Sequence, residues 1–180
     1  ACFADFNNDS HLDLFHVNGM EGDNIDINFK DDPSRLFMSN GDGTFSETSL
    51  AMGIDDRAMG RGLVCFDYDK DGDIDLYTAN YNQAPKLFCN SGTNNHFVNI
   101  KLVEKSGNSQ ALGARIYVTS NGIVQMRELR AGSNYVSQNP VEAHFGLAQA
   151  SKLERVRIVW PDGKESILDD LNLNQFITIS

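Results

Sequence analysis

Two short acidic segments have the residue spacing of calcium-binding loops. Residues 67–75 read Asp-Tyr-Asp-Lys-Asp-Gly-Asp-Ile-Asp, which places carboxylates at loop positions 1, 3, 5 and 9 and a glycine at position 6. Ca²⁺ takes about six to eight oxygen ligands at about 2.3–2.6 Å, and alternate side chains converge on one point when a glycine allows a sharp turn. The predicted side-chain ligands are Asp67, Asp69, Asp71 and Asp75, and Asp73 is predicted to offer its backbone carbonyl.

The segment 5–13 repeats this pattern at an offset of 62 residues. Ser10 replaces the glycine and an amide replaces one carboxylate, so this first loop is predicted to bind Ca²⁺ less tightly than the second. Its predicted side-chain ligands are Asp5, Asn7, Asp9 and Asp13, and His11 stands at the backbone-carbonyl position. The alternative for each loop is an acidic, solvated turn. Two matches in register favour the calcium site, because closely spaced carboxylates repel one another until a cation neutralises them.

Both loops differ from an EF-hand, which needs a bidentate acid at position 12 and a helix on either side. Position 12 is His16 in the first loop and Thr78 in the second. The residues that flank the loops are short apolar runs, which are typical of strands. The pattern therefore predicts a calcium loop inside a β-hairpin.

The elements that position the loops form a repeat. A further apolar segment follows each loop and runs into an Asn/Gly-rich turn, RLFMSNGDGTF at 35–45 and KLFCNSGTNNHF at 86–97. Each unit is therefore predicted as a strand, an acidic loop, a second strand and a hairpin. The first unit has additional residues at 21–33, and their polar, Pro-terminated composition predicts a surface excursion.

From about His96 the acidic repeat stops, and short strands of alternating apolar residues follow, separated by turn signals such as Pro-Asp-Gly at 161–163. Residues 147–154 are the one stretch in which a short helical turn is expected. The predicted fold class is all-β in two parts, a repeat region at 1–95 and a β-domain at 96–180.

The composition restricts the class of partner. The 180 residues include 15 Lys and Arg against 25 Asp and Glu, a net charge of -10, which argues against nucleic acid because phosphate binding requires clustered cations. No apolar run approaches the roughly 18 residues of a membrane span. Cys2, Cys65 and Cys89 permit at most one disulfide, and the sequence leaves its existence and pairing open. Cys2 and Cys65 lie in apolar runs and are predicted to be small buried side chains.

The acidic repeats resemble the FG-GAP/VCBS repeat of integrin-type β-propellers, whose blades carry a DxDxDGxxDL calcium loop between their first two strands. The tail resembles the ASPIC/UnbV domain, which follows an FG-GAP propeller in bacterial proteins and in the cartilage acidic protein family. The segments that carry this second resemblance are ALGARIYV at 111–118, QMRELRAGSNYVSQNPVEAHFGL at 125–147, VRIVWPDGKESI at 156–167 and LNLNQFITI at 171–179.

The resemblance implies partial propeller blades at 1–95 and a small β-sandwich or barrel-like domain at 96–180, as the C-terminal part of a longer protein. It also implies a calcium-binding module that is secreted, periplasmic or at the cell surface. Its role would be cell adhesion or ligand recognition, with an extracellular protein or a glycan as partner. Two blades without neighbours would leave a sheet edge and a blade face exposed, so self-association is expected.

The tail contains no recognisable catalytic motif. Ser137 lies outside a GxSxG sequence, and His144 has no metal-ligating partner at a useful spacing. The chain is therefore predicted to be non-enzymatic. The alternative function is that of a carbohydrate-active lyase or hydrolase, or of its accessory carbohydrate-binding domain, in which Ca²⁺ assists substrate binding.

Two further groups of side chains have both a binding and a structural interpretation. Arg115, Arg127 and Arg130 could bind an anion, but polar side chains on exposed strand faces are common without such a role. Tyr135 and Trp160 could stack on a sugar, whereas Trp160 before Pro-Asp-Gly is more typical of packing at the mouth of a hairpin.

Overall fold

The computed structural model describes residues 1–19, 32–105 and 107–180. The described residues form fourteen strands in four sheets, so the predicted all-β class is confirmed, and none of these sheets closes into a barrel. The prediction of a short helical turn at 147–154 is wrong, because one strand continues to Ala148 and the next strand begins at Leu153. Most of the predicted surface excursion at 21–33 lies outside the described residues.

The chain divides into two compact units. Each unit includes a short segment whose neighbours in the sequence belong to the other unit. The first unit comprises Ala1–Phe6, His11–Ser91 and Gly132–Asn139. The second comprises Asn7–Ser10, Gly92–Ala131 and Pro140–Ser180. We call Gly132–Asn139 the inserted segment. The predicted domains, 1–95 and 96–180, stay a prediction.

The first unit contains two antiparallel sheets with the same strand plan, which we call blade 1 and blade 2. Blade 1 has the order β1-β2-β3-β4, and blade 2 has the order β5-β6-β7. In each blade an acidic loop joins the first two strands, as the sequence predicted. The strands are β1 (Cys2–Ala4), β2 (Asp13–His16), β3 (Arg35–Ser39), β4 (Phe45–Glu47), β5 (Gly60–Phe66), β6 (Asp75–Asn80) and β7 (Lys86–Phe88).

One hydrophobic cluster holds the two blades together. Alternate residues of a strand point to opposite faces of its sheet, so each blade contributes one row of side chains. Blade 1 contributes Cys2, Phe15 and Leu36, and blade 2 contributes Leu63, Cys65 and Leu76. Both cysteines are buried, as predicted, and they also form a disulfide, whereas Cys89 is exposed and has a free thiol.

Side chains of the inserted segment cover the edge of β5. The hydroxyl of Ser137 donates to the carbonyl of Leu63 (2.7 Å) and accepts from its amide (2.9 Å). Asn134 donates to the same carbonyl (2.7 Å), and the side-chain oxygen of Asn139 accepts from the amide of Cys65 (3.0 Å). An unpaired edge offers such groups to other chains. At β5 these groups are already bonded within the first unit, so the expectation of an open edge is corrected at this strand.

The second unit packs two sheets around a single core. One sheet is antiparallel with the order β10-β9-β12-β13, and in the other, β11-β8-β14, the last strand runs parallel to β8. Side chains from both sheets, such as Ile100, Phe145, Ile116 and Val156, fill the core and are fully buried. The strands are β8 (His96–Leu102), β9 (Arg115–Ser120), β10 (Ile123–Glu128), β11 (Ala143–Ala148), β12 (Leu153–Val159), β13 (Glu165–Leu171) and β14 (Gln175–Ile179).

Removing the disulfide is expected to destabilise the first unit. The bridge joins cysteines that are 63 residues apart, and in the chain-entropy model closing a loop of that size stabilises the folded state by about 4 kcal/mol. The variant Cys2→Ser/Cys65→Ser should therefore unfold at a lower urea concentration than Cys89→Ser, which keeps the bridge. Equal midpoints would show that the bridge does not contribute to stability.

The substitution Ser137→Ala is expected to lower the free energy of unfolding by about 1–3 kcal/mol, because the amide of Leu63 loses its side-chain partner and the carbonyl of Leu63 retains only the bond from Asn134. Ser151→Ala, at an exposed position, is the matched control and should change it by less than about 0.5 kcal/mol. Urea unfolding of both variants measures the difference. If Ser137→Ala and Ser151→Ala have the same free energy of unfolding, the side-chain hydrogen bonds at the edge of β5 do not stabilise the protein.

Candidate metal centre

The second acidic loop brings three carboxylates together. One oxygen from each of Asp67, Asp69 and Asp71 lies within 4.8 Å of the others. The loop leaves β5 after Phe66 and turns through two residues with positive φ, Lys70 (66°) and Gly72 (99°). This turn is the sharp reversal for which the glycine was predicted.

The three carboxylates differ in exposure. Asp67 is buried and accepts hydrogen bonds from the amides of Lys70 (2.7 Å) and Gly72 (3.0 Å), which fixes its position in the turn. Asp69 and Asp71 are exposed. Asp71 accepts a bond from the amide of Asp73 (2.9 Å), the residue predicted to offer its carbonyl. The loop therefore has one fixed carboxylate at its base and two at the surface.

Asp75 links the loop to the third strand of blade 2. Its carboxylate is buried, with one oxygen accepting from the amide of Tyr68 (2.7 Å) and the other from the amide of Asn90 (2.8 Å). Asp75 is not part of the cluster of converging oxygens found among the described residues. Of the five residues predicted for this loop, the structure therefore brings three carboxylates together and gives Asp75 two backbone partners.

Asn90, just after β7, is a site residue that the sequence analysis missed. Its side-chain amide donates to the carbonyls of Phe6 (2.7 Å) and Ile74 (3.2 Å), in addition to the bond from its backbone amide to Asp75. The aligned position in blade 1 is Ser39, whose amide donates to Asp13 (2.8 Å). The only signal in the sequence was the position of both residues at the start of the Asn/Gly-rich turns.

Burial raises the pKa of Asp67 and of Asp75, although hydrogen bonds from backbone amides oppose the shift. The neighbouring carboxylates add to it, Asp71 for Asp67, and both Asp69 and Asp71 for Asp75. A raised carboxyl pKa means that ionising the group in the folded protein costs free energy. A nearby cation would remove that cost, and a donor set of carboxylate oxygens suits a hard cation such as Ca²⁺.

The first acidic loop reproduces the buried anchor of the second. Asp13 corresponds to Asp75, and it accepts from the amides of Phe6 (2.9 Å) and Ser39 (2.8 Å). The five predicted residues of this loop are divided between the units, Asp5, His11 and Asp13 in the first and Asn7 and Asp9 in the second.

Residues 7–10 of the first loop have their own contacts in the second unit. Asn7 donates to the carboxylate of Asp9 (2.9 Å) and accepts from its backbone amide (3.1 Å). Ser10 has a φ of 80°, in the left-handed region that Gly72 also occupies, and its hydroxyl donates to the carbonyl of Gly146 (3.1 Å). A serine therefore supports the turn for which a glycine was expected.

Most of the other candidate side chains have partners within the fold. The ring of His144 stacks on Phe97 with centroids 6.0 Å apart, and Trp160 donates to Ser166 (2.9 Å) while packing against the core of the second unit. Tyr135 is exposed. Arg115 and Arg130 both lie within 3.6 Å of Glu128, and Arg127 lies over the ring of Phe145 at 5.0 Å. Trp160 thus occupies the hairpin position that was predicted for it.

Two aspartates of the second loop are expected to respond differently to the same change. In EDTA, Asp75→Asn should lower the free energy of unfolding by about 2–3 kcal/mol, because an amide cannot accept both backbone bonds of this buried group. Asp69→Asn, at an exposed position, should leave it unchanged within about 0.5 kcal/mol. Urea unfolding tests the pair, and an equal loss in both variants would contradict the anchoring role of Asp75.

Comparison with known proteins supports both family resemblances that the sequence motifs indicated. Residues 5–78 match the FG-GAP-like repeat family, and residues 104–180 match the ASPIC and UnbV family. Cartilage acidic protein 1 of Homo sapiens is 28% identical over 171 residues, covering 89% of this chain and 24% of the relative. The Mus musculus protein of that name is also 28% identical, with 89% and 25% covered, and the Xenopus tropicalis protein is 38% identical over 63 residues, with 34% and 10% covered.

The chain thus spans about a quarter of the length of the two mammalian relatives. Within its described residues, no helix is long and apolar enough to cross a membrane. The two family matches follow one another in the order that the sequence predicted and together account for most of the chain. The protein therefore carries an FG-GAP-like repeat followed by an ASPIC and UnbV domain.

Proposed function

We propose that the chain is a calcium-stabilised, non-enzymatic extracellular module that recognises a protein or glycan ligand. The observation that carries the proposal is the convergence of the Asp67, Asp69 and Asp71 carboxylates in a loop of the FG-GAP-like repeat. These side chains would hold the ion. The ion would supply positive charge that offsets the mutual repulsion of the carboxylates and the cost of burying Asp67.

Three points support an extracellular location. Stable disulfides are typical of oxidising compartments, and the first unit contains one between Cys2 and Cys65. Loops of modest calcium affinity fill where the ion is near millimolar, as it is outside cells. The mammalian relatives carry a name that refers to cartilage.

Cation binding rather than catalysis is supported by the carboxylates of the second acidic loop. Burial raises the pKa values of the carboxyl groups of Asp67 and Asp75, both in the second acidic loop. In that position they favour cation binding over general acid catalysis. Screening the calcium-loaded protein on glycan and protein arrays tests recognition without presuming the class of ligand, and hydrolysis or eliminative cleavage of an arrayed glycan would contradict the non-enzymatic assignment.

Calcium is expected to raise the melting temperature. If free Ca²⁺ exceeds its dissociation constant about a hundredfold, binding to the folded state alone stabilises it by about 2.7 kcal/mol. Asp71→Ala should abolish most of this effect, Asp9→Ala should reduce it less, and the control Asp55→Ala, exposed and outside both loops, should retain it. Calorimetric melts in EDTA and in millimolar Ca²⁺ measure the shift.

Equal melting curves in EDTA and Ca²⁺ would indicate that both loops are acidic, solvated turns without a bound ion. That result would overturn the calcium proposal. Isothermal titration with Ca²⁺ gives a second readout, in which the site at 67–75 is expected to be the tighter one. Loss of binding in Asp9→Ala together with full binding in Asp71→Ala would reverse the order of the two loops.

A further inference from the structure

Among the described residues of the second unit, four strands lie at a sheet edge: β10, β13, β11 and β14. Natural sheets protect an open edge with charged side chains, with an irregular backbone or with a covering segment. At β11 the carbonyl of Gly146 accepts from the hydroxyl of Ser10 (3.1 Å), and the amide of Ala148 donates to the carbonyl of Asn8 (2.7 Å). Residues 7–10 of the same unit therefore cover this edge.

The edge at β13 is protected by charge and by its backbone. Three of its seven residues are acidic, Glu165, Asp169 and Asp170. Asp170 also has a φ of 52°, in the left-handed region, so the backbone departs from extended geometry at that point. Both features oppose the addition of a further strand.

The edge at β10 is apolar and exposed. The strand follows a two-residue turn, Asn121 and Gly122, whose positive φ values of 48° and 75° are typical of a type I′ hairpin. Ile123 is 50% exposed, Val124 is 62% exposed and Met126 is 45% exposed. An exposed apolar edge strand of this kind favours pairing with another strand.

Alternate residues of β10 direct their backbone groups to the open edge. In a two-residue hairpin the residues that flank the turn exchange both backbone bonds, and bonded and non-bonded pairs then alternate. Ile123 is the first residue after the turn, and Leu129, just beyond β10, donates its amide to the carbonyl of Ala114 (2.9 Å). The odd-numbered residues are therefore bonded to β9, and the amides and carbonyls of Val124 and Met126 point away from it.

Within the described part of the chain, one side chain bonds to these outward groups. The guanidinium of Arg127 donates to the carbonyl of Met126 (3.0 Å). A carbonyl oxygen has two lone pairs, so it can accept a second bond from another strand. The outward amides of Val124 and Met126 have no acceptor among the described residues.

A second copy of β10 matches this edge when the two strands run antiparallel. A two-fold axis at Gln125 sets Val124 opposite Met126 of the second copy. Both residues then direct their amide and carbonyl toward one another, which allows four backbone hydrogen bonds across the axis. The exposed side chains of Val124 and Met126 lie on the same face of the sheet and would cover each other.

The charges of β10 favour this position of the axis. Arg127 and Glu128 lie at one end of the strand, so they are placed opposite the uncharged hairpin turn of the second copy. An axis at Met126 would set Glu128 opposite the apolar Val124. An axis at Arg127 would set two guanidinium groups opposite each other, and like charges in that position destabilise a strand pair.

We propose that β10 pairs antiparallel with β10 of a second copy of this chain, which joins the sheets β10-β9-β12-β13 of both copies into one. The apolar side chains of the two strands then form a continuous row with Tyr117, which lies opposite Met126 on β9. One strand pair is a small contact compared with the roughly 1,200–2,000 Å² of a stable interface, so the association is weak and depends on concentration.

Sedimentation of the 180-residue chain from about 1 µM to about 1 mM tests the association. The weight-average mass should rise from one chain toward two and no further, because a two-fold contact closes. Val124→Pro should remain monomeric, since it removes an outward amide without removing a bond to β9. Thr178→Lys, at an exposed position on the edge strand β14, should associate like the unaltered chain.

Val124→Lys is the substitute if Val124→Pro shows an altered circular dichroism spectrum or melt. It keeps the backbone amide and places an ammonium group against the apolar side chain of Met126 in the second copy. It should also remain monomeric.

Disulfide formation tests the register. In a Cys89→Ser background, Val124→Cys and Met126→Cys are mixed and oxidised with glutathione disulfide, which is reduced to glutathione. Opposite residues of a bonded pair have Cα atoms about 5.5 Å apart, within the range of about 4.4–6.8 Å for a disulfide, whereas diagonal neighbours are about 7–8 Å apart. The mixture should therefore form a covalent dimer, and each variant alone should form much less.

Three results would overturn the proposal: a chain that stays monomeric at the highest concentration, association that persists in both Val124→Pro and Val124→Lys, or a mixture that forms no more covalent dimer than the single variants. Association lost in Thr178→Lys but kept in Val124→Pro would place the contact at β14 and equally contradict it.

Discussion

Each blade depends on one buried carboxylate that accepts two backbone hydrogen bonds. Asp13 joins the amide of Phe6 to that of Ser39, and Asp75 joins the amide of Tyr68 to that of Asn90. In both cases the acid at the end of the loop ties the first residues of the loop to the end of the third strand. The clamp therefore holds both ends of the loop that carries the other carboxylates.

The acidic motif has two roles, to organise the strands and to attract a cation, and the clamp residue performs the first of them. A carboxylate bonded to two amides has a built-in source of positive electrostatic potential, so it contributes to folding without an external ion. The carboxylates of Asp69 and Asp71 are exposed to solvent. Together with Asp67 they concentrate negative charge in a small volume. The motif therefore contains a part that organises the strands and a part whose charge favours a cation.

The sequence was sufficient for the strands, the loops and the glycine turn, since these depend on local spacing and residue type. It failed where the deciding partner is distant in the chain. Ser10 seemed a poor substitute for glycine, yet its hydroxyl bonds to Gly146, and that contact cannot be inferred from neighbouring residues. The strand patterns also did not show which apolar face of each blade is covered, because both faces carry apolar side chains.

The inserted segment has a consequence for the order in which the protein is completed during synthesis. Ser137 follows Leu63 by 74 residues, so the edge of β5 lacks its side-chain partners until the ribosome has added those residues. Contacts this distant in sequence slow folding because the intervening chain must be ordered first. Until then the nascent first unit carries an open strand edge, and this interval is when binding by a chaperone would most effectively prevent mispairing.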